Sequence, residues 1–354
     1  MRCPLPASKR SVSRVPGWWW CLAAVAAFLL TTAGVRSAVP LRDAFPGGAK
    51  LEYYLLHRGE YDVLLVGNSL IYRAIIPALF DARMAEHGYP IRSYNFGFSG
   101  MRAFETDHLV RFLARSGDLP PHVFLGPGPF DPHIEPWERR THRAVAWHSP
   151  RQTVAALRTV WRPQEPWPER ARLAADHSLL FSRWLTRFGD GGRILGAVVE
   201  GGEATAAELE VLSRTSGYEG LEGLDRRPIR ARHRRFLRRQ KQFLAAVARN
   251  SRRRHVNRLT AMNLERLAGL GAFVRRTGSR PVLLISPNKA RLAGFTPDGA
   301  GETLLLNFDD PVRYPRLFDL DMRFDSSHLN RRGAEIYTRL VADAFAAGLA
   351  REGD

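Results

Sequence analysis

Apolar and polar positions along this chain fall into a strand–helix rhythm that is interrupted once and then resumes. Residues 63–66 (Val-Leu-Leu-Val) are a short, wholly apolar run closed by Gly67, the pattern of a strand buried on both faces. Residues 77–87 read as a helix that opens on Pro77 and stops at Gly88. Residues 91–96 alternate and predict a second strand, 104–114 a second long helix, and 122–125 a third strand. After the interruption come a helix over 259–276, a strand over 281–285 and an amphipathic closing helix over 331–347. Strands alternating with helices predict an α/β fold with a central parallel sheet covered on both faces.

The interruption spans about residues 132–256. It is rich in Trp, Pro and Arg, has a Gly-rich patch over 189–202, and predicts a mostly helical insertion. Within it, residues 226–258 interleave fourteen basic side chains with Phe236, Leu237, Phe243, Leu244 and Val247 at helical spacing. That pattern fits a solvated helix face, or a surface that touches anionic lipid or acidic glycan.

At the N-terminus, Arg2, Lys9, Arg10 and Arg14 precede an apolar run from Val15 to Val35. The run is close to the ~20 residues that span a bilayer as a helix. It predicts a basic cytoplasmic leader (1–14), a single-pass transmembrane anchor (15–36), a linker and lead-in (37–59) and a domain over 60–350 on the extracytoplasmic side. A cleavable signal segment is the alternative, and would make the protein secreted.

Composition narrows the classes further. The chain has 354 residues, 45% hydrophobic and 25% charged, which suits a globular domain with appendages. Its net charge is +18, and only four of the 53 basic residues are Lys. Such a field favours polyanions in general. Arg-rich solvated helix faces account for it equally well, and nucleic acid is the least favoured partner. Cys3 and Cys21 both lie in the N-terminal segment, so the domain has no disulfide framework, Cys metal site or Cys nucleophile. Cys21 follows three Trp rather than the small residues expected before a lipid-modified Cys. His122 and His133 lack ligand spacing, so no metal is expected.

The candidate chemistry sits at the two ends of the α/β pattern. Gly67-Asn68-Ser69 closes the first strand, and Asp325-Ser326-Ser327-His328 precedes the closing helix. A Ser hydroxyl on a turn at the carboxyl end of a strand stands where open α/β sheets bind ligands. Nearby backbone N–H groups can face an oxyanion there. His328 supplies a base, and Asp325 a carboxylate to fix its tautomer. Each also has a plainer role: Ser69 as a helix cap, Asp325 as a turn residue, His328 as a surface residue.

Together these blocks resemble the SGNH (GDSL-type) superfamily of esterases and acyltransferases, over about residues 60–131 and 257–348. Gly67-Asn68-Ser69 is similar to its first block, with Asn for the usual Asp. Asn95-Phe96-Gly97-Phe98-Ser99-Gly100 is similar to the second. Asp325-x-x-His328-Leu329-Asn330-x-x-Gly333 is similar to the last. The resemblance implies a three-layer flavodoxin-like fold and a triad of Ser69, His328 and Asp325, with no metal or organic cofactor. Backbone N–H groups of Ser69 and Gly100 would meet the oxyanion, with Asn95 and Asp131 as secondary candidates. The third block departs: Gly126-Pro127-Gly128-Pro129-Phe130-Asp131 lacks the Asn whose side chain would donate to the oxyanion. Losing one such donor costs roughly 10²–10³-fold in rate. Membrane-anchored relatives that acetylate exported polysaccharides also diverge there. The implied function is an extracytoplasmic serine esterase or O-acyltransferase acting on an envelope or exported glycan or lipid. Its implied partners are that acyl-ester or glycan substrate, the membrane, and envelope polysaccharide machinery. The alternatives are a catalytically weak scaffold of that machinery, or a basic glycan- or lipid-binding module.

Overall fold

The computed structural model of the chain describes residues 16–38, 47–161, 165–187, 204–252, 256–258, 260–289, 291–293 and 303–353. Five parallel strands form the central sheet: β1 Val63–Val66, β2 Ser93–Asn95, β3 His122–Leu125, β4 Arg280–Ile285 and β5 Leu304–Asn307. Their spatial order is β2-β1-β3-β4-β5. Register is continuous across the sheet: Val63 faces Ser93 on one side and His122 on the other, His122 faces Arg280, and Val282 faces Leu304. The chain leaves β1 for one edge and then returns past it to β3. The β1/β3 boundary is therefore a topological switch point, where the carboxyl ends of the strands open a crevice.

The helices in chain order are α1 Gly17–Ala38, α2 Gly48–His57, α3 Ser69–Tyr72, α4 Pro77–Glu86 and α5 Ala103–Arg115. The insertion contributes α6 His142–Ala146, α7 Pro150–Val160, α8 Trp167–Thr186, α9 Ala206–Thr215, α10 Arg227–Arg238 and α11 Gln240–Ser251. Then come α12 Ala261–Arg276 and the closing α13 Arg331–Gly353.

Alternation along the strands splits the core into two layers. Val63, Leu65, Phe124, Val282 and Leu284 pack on one face against Phe80 and Met84 of α4 and Val341 and Phe345 of α13. Leu64, Val66, Val123, Leu125 and Leu283 pack on the other against Leu51 and Tyr54 of α2, Leu109 and Leu113 of α5, and Leu270 and Val274 of α12. All four residues of β1 are buried because both faces are covered.

Two expectations need adjusting. The second part of the expected linker is the helix α2, with Leu51 and Tyr54 fully buried. A fifth strand, β5, follows residues outside the described set; its only sequence mark is the three-residue run Leu304–Leu306, too short to separate strand from loop. Among the described residues, no helix is long and apolar enough to cross a membrane. Helix α1 does run for 22 residues with Trp18, Trp20, Leu22 and Leu30 exposed. The basic leader over 1–14 and the Gly-rich patch over 189–202 lie outside the described residues.

Candidate active site

Ser69 and His328 are separated by 259 residues, yet they meet at the carboxyl edge of β1. β1 ends at Val66, and Asn68 caps the single-turn helix α3 by accepting the Leu70 N–H at 2.9 Å. Asn fills this role as Asp would, with a side-chain oxygen and no charge. Ser69 then stands at the first position of the turn, its hydroxyl 2.8 Å from His328 Nε2. The His328 Nδ1–H faces both oxygens of Asp325, each at 2.9 Å. With Nδ1 protonated against the carboxylate, Nε2 is left to accept the Ser69 proton.

Asp325 sits in a tight turn that fixes it from its own backbone. Its Oδ1 accepts the N–H groups of Ser327 at 2.8 Å and His328 at 2.9 Å. The Asp325 side chain is 4% exposed and that of His328 10%. Burial pushes the Asp325 carboxyl up, but the hydrogen bond and charge of His328, with the two backbone N–H groups, outweigh it and hold the carboxyl down to about 2. It therefore stays ionised at neutral pH.

The loop after β2 packs directly on α3. A Cβ at Gly97 would lie 2.8 Å from the Tyr72 backbone nitrogen, so only Gly permits this approach. Gly100, with φ +66°, turns the loop back. Arg143 of the insertion grips the loop, donating to the carbonyls of Ser99 at 2.9 Å and Gly100 at 2.6 Å while paired with buried Glu105.

Asn95 stands under this loop rather than in the opening. It is fully buried; its Nδ2 donates to the carbonyls of Ile71 at 3.1 Å and Ile75 at 2.8 Å, and its Oδ1 accepts the Gly97 N–H at 3.0 Å. Its amide is thus committed to holding α3 against the loop. Asp131 lies apart from the triad's hydrogen bonds; half-exposed, it accepts from the backbone and ring N–H groups of His133. In the same third block the Phe130 N–H donates to Asn263 Oδ1 at 3.2 Å. Among the described residues, no three His, Cys, Asp or Glu side chains are grouped as metal ligands.

A cleft of about 830 Å³ is lined by Tyr72 at the end of α3, by Phe98 of the loop after β2, by Arg331 at the start of α13, and by Val211, Leu212 and Tyr218 of the insertion. In its wall, Lys50 Nζ donates to the carbonyls of Asn95 at 2.9 Å and Gly97 at 2.6 Å and lies 3.8 Å from the centre of the Tyr72 ring. Burial, and then the charge of Arg73, push the Lys50 ammonium well below the usual lysine value; Glu219 opposes them. Glu219 in turn accepts from Tyr72 and Arg73, tying the insertion to α3. A second hollow of about 800 Å³ lies between α5, α7 and α12, among Arg111, Arg158 and Arg276. Neither lining includes Ser69, His328 or Asp325; the first cleft is the one that reaches α3, through Tyr72.

Sequence reasoning singled out the residues now adjacent, Ser69, His328 and Asp325, and missed the side chains that hold them. Lys50 lay in a stretch taken for linker, although Leu51, Tyr54 and Leu55 have helical spacing. Arg143 and Arg232 lay among dozens of Arg with nothing local to mark them. Arg232 Nε is 2.8 Å from Asp325 Oδ2. No protein-family model matches this chain, and neither the curated proteins nor the solved structures contain a significant match to it.

Proposed function

We propose that this protein is a serine esterase or O-acyltransferase of the SGNH type, with the three-layer flavodoxin-like arrangement of that superfamily. The observation that carries the reading is the hydrogen-bonded series Ser69–His328–Asp325 at the sheet's switch point, with spacings of 2.8 and 2.9 Å. Ser69 Oγ attacks the acyl carbon while His328 Nε2 takes its proton. The tetrahedral oxyanion faces the backbone N–H groups of Ser69 and Gly100. Collapse expels the alcohol, which takes the proton back from His328, and leaves an acyl-Ser69 ester. Water, or an acceptor hydroxyl deprotonated by His328, then releases the acyl group. Asp325 keeps the imidazole in its Nδ1–H form and stabilises the imidazolium.

The substrate class follows from the surroundings. The cleft that reaches Tyr72 of α3 offers aromatic and aliphatic walls with Lys50 and Arg331 among them, which suits an ester of a glycan or lipid. The basic leader and the exposed Trp and Leu of α1 suit export and action on the extracytoplasmic side, among envelope polysaccharide machinery. One observation favours a second reading. The third block has no Asn to donate to the oxyanion, so a weakly active scaffold with the same fold is the rival.

Labelling with a serine-directed phosphonate, and turnover of a small activated ester, separate the two. The intact protein should form a Ser69 adduct. Ser69→Ala and His328→Ala should each lower turnover by about 10³-fold or more and to a similar extent, because triad members act as a unit. Absence of a Ser69 adduct, with turnover no faster than that of Ser69→Ala, would establish the scaffold reading.

A further inference from the structure

Asp325 is held from outside its own turn by the insertion. Its Oδ1 is occupied by local N–H groups, whereas Oδ2 meets Arg232 Nε at 2.8 Å in addition to His328. Arg232 lies on α10, and the next residue, His233, donates from Nδ1 to the Phe324 carbonyl at 2.6 Å. Its ring stacks on Phe324 with centroids 4.7 Å apart. Two consecutive residues of one helix thus seize two consecutive residues of the strand that leads into the triad. Behind them, Arg323 is 3% exposed, with its guanidinium 5.2 Å from the Phe243 ring of α11 and 5.8 Å from that of Phe318. None of its guanidinium nitrogens has a hydrogen-bond partner among the described residues. It packs by its flat face and leaves the carboxylate to Arg232. On the far side of His328, the Arg331 N–H donates to Glu222, another residue of the insertion.

A carboxylate turns easily about its last bond, and its terminal torsion is broad. The backbone N–H groups hold Oδ1, and the His328 Nδ1–H, which faces both oxygens, is the other hydrogen bond on the group. The positive charge of Arg232, 2.8 Å from Oδ2, draws that oxygen toward α10 and favours one setting of the carboxylate plane. The plane decides whether the carboxylate presents an acceptor along the His328 Nδ1–H direction, and so whether Nε2 points at Ser69.

We propose that Arg232 is a positioning residue for the triad, and that docking of α10, through Arg232 and His233, completes the site. This rests on reading Ser69, His328 and Asp325 as a catalytic triad. It goes beyond that reading by giving the basic insertion a part in it. The basic stretch then serves as a clamp at Arg232 and His233, and only its remaining face is solvated.

The test uses the full chain and two measurements. The first is the proton NMR signal of the His328 Nδ1–H, assigned by its loss in His328→Gln; a strongly hydrogen-bonded imidazole N–H resonates far downfield and is seen only when protected from exchange. The second is kcat and KM for the activated ester. In Arg232→Ala the signal should broaden away, kcat should fall about tenfold, and KM should stay within about twofold. Arg232→Lys should keep the signal and recover at least half of kcat. Arg232→Gln, which retains a donor, should fall between them and stands in if the Ala variant does not fold. A wild-type signal and wild-type kcat in both Arg232→Ala and Arg232→Gln would overturn the proposal, leaving an exposed ion pair of the kind worth little. The NMR arm does not need turnover. A protein that shows the signal but forms no Ser69 adduct refutes the esterase reading, while the comparison among Arg232 variants still decides this one.

Discussion

Phe124 at the centre of the sheet and Asp176 in the insertion are both buried, and their surroundings have little in common. Phe124 meets the rings of Phe80 at 5.9 Å and Phe345 at 4.9 Å, with Leu65 and Val282 of neighbouring strands in the same cluster. Asp176 lies between Arg139 at 3.0 Å and Arg172 at 3.1 Å. The same contrast runs through both regions. The sheet is closed by apolar side chains that alternate between two faces. The insertion adds Arg-centred ties: Arg102 to Glu138, Arg143 to Glu105, Arg232 to Asp325. Apolar burial is non-directional and contributes most of the stability. An ion pair taken out of water contributes little net energy but has a strict geometry. The sheet therefore supplies stability, and the arginines of the insertion supply alignment where they reach the loops around Ser69 and Asp325. Part of the +18 charge that looked like solvated surface is used inside the fold.

The largest expected effect tests the sheet. Phe124→Ala removes a fully buried ring between α4 and α13 and should cost roughly 3–5 kcal/mol. Chemical denaturation should show the midpoint falling in one transition, with Ser69 labelling lost at that same midpoint. A loss under about 1 kcal/mol would mean that the two apolar layers do not carry the fold.

The next effect tests the junction, and it depends on pH. The Asp325 carboxyl is held down to about 2, below its unfolded value near 3.8. For a depressed acid, the added stability is present above the unfolded pKa and is lost as pH falls through the folded pKa. The window is therefore about pH 4 down to pH 2. The difference corresponds to about 2 kcal/mol at neutral pH. Asp325→Asn should be less stable than the parent by about that amount at pH 6, and the gap should close by pH 2. A gap independent of pH would show that Asp325 contributes through packing rather than charge.

These differences also explain what the sequence made legible. Four signals in the sheet domain are local: Val63–Val66 and Val123–Leu125 are apolar runs ended by Gly, and α4 and α5 carry helical spacing. Asp325 and His328 are three residues apart, so one turn brings them together, and Ser69 was marked by the strand before it. Arg232 and Asp325 are 93 residues apart in the chain and meet only because α10 docks on the last loop. Nothing near Arg232 separates it from Arg230, Arg234 or Arg235. Lys50 was hidden for a similar reason, since its partners are carbonyl groups and leave no mark in a sequence. β5 was missed because three leucines are shorter than any reliable period.

The smallest expected effect separates a used arginine from an unused one. Arg234 and Arg235 follow Arg232 and His233 on α10, and both are exposed. On a helix the position two residues after Arg232 points to the opposite side, and Arg235, three on, shares the face but makes no ion pair with Asp325, which is met by Arg232. Ala is also a better helix former than Arg by a few tenths of a kcal/mol at most. Arg234→Ala and Arg235→Ala should therefore each change stability by less than about 0.5 kcal/mol, and leave kcat and KM within about twofold of the parent. Arg232→Ala, on the same turn of the same helix, should differ from both in kcat. If all three substitutions lower kcat alike, the net positive field of α10 matters to the reaction and the individual contact does not. If only Arg232→Ala does, alignment resides in one guanidinium, and the neighbouring charge is solvated surface.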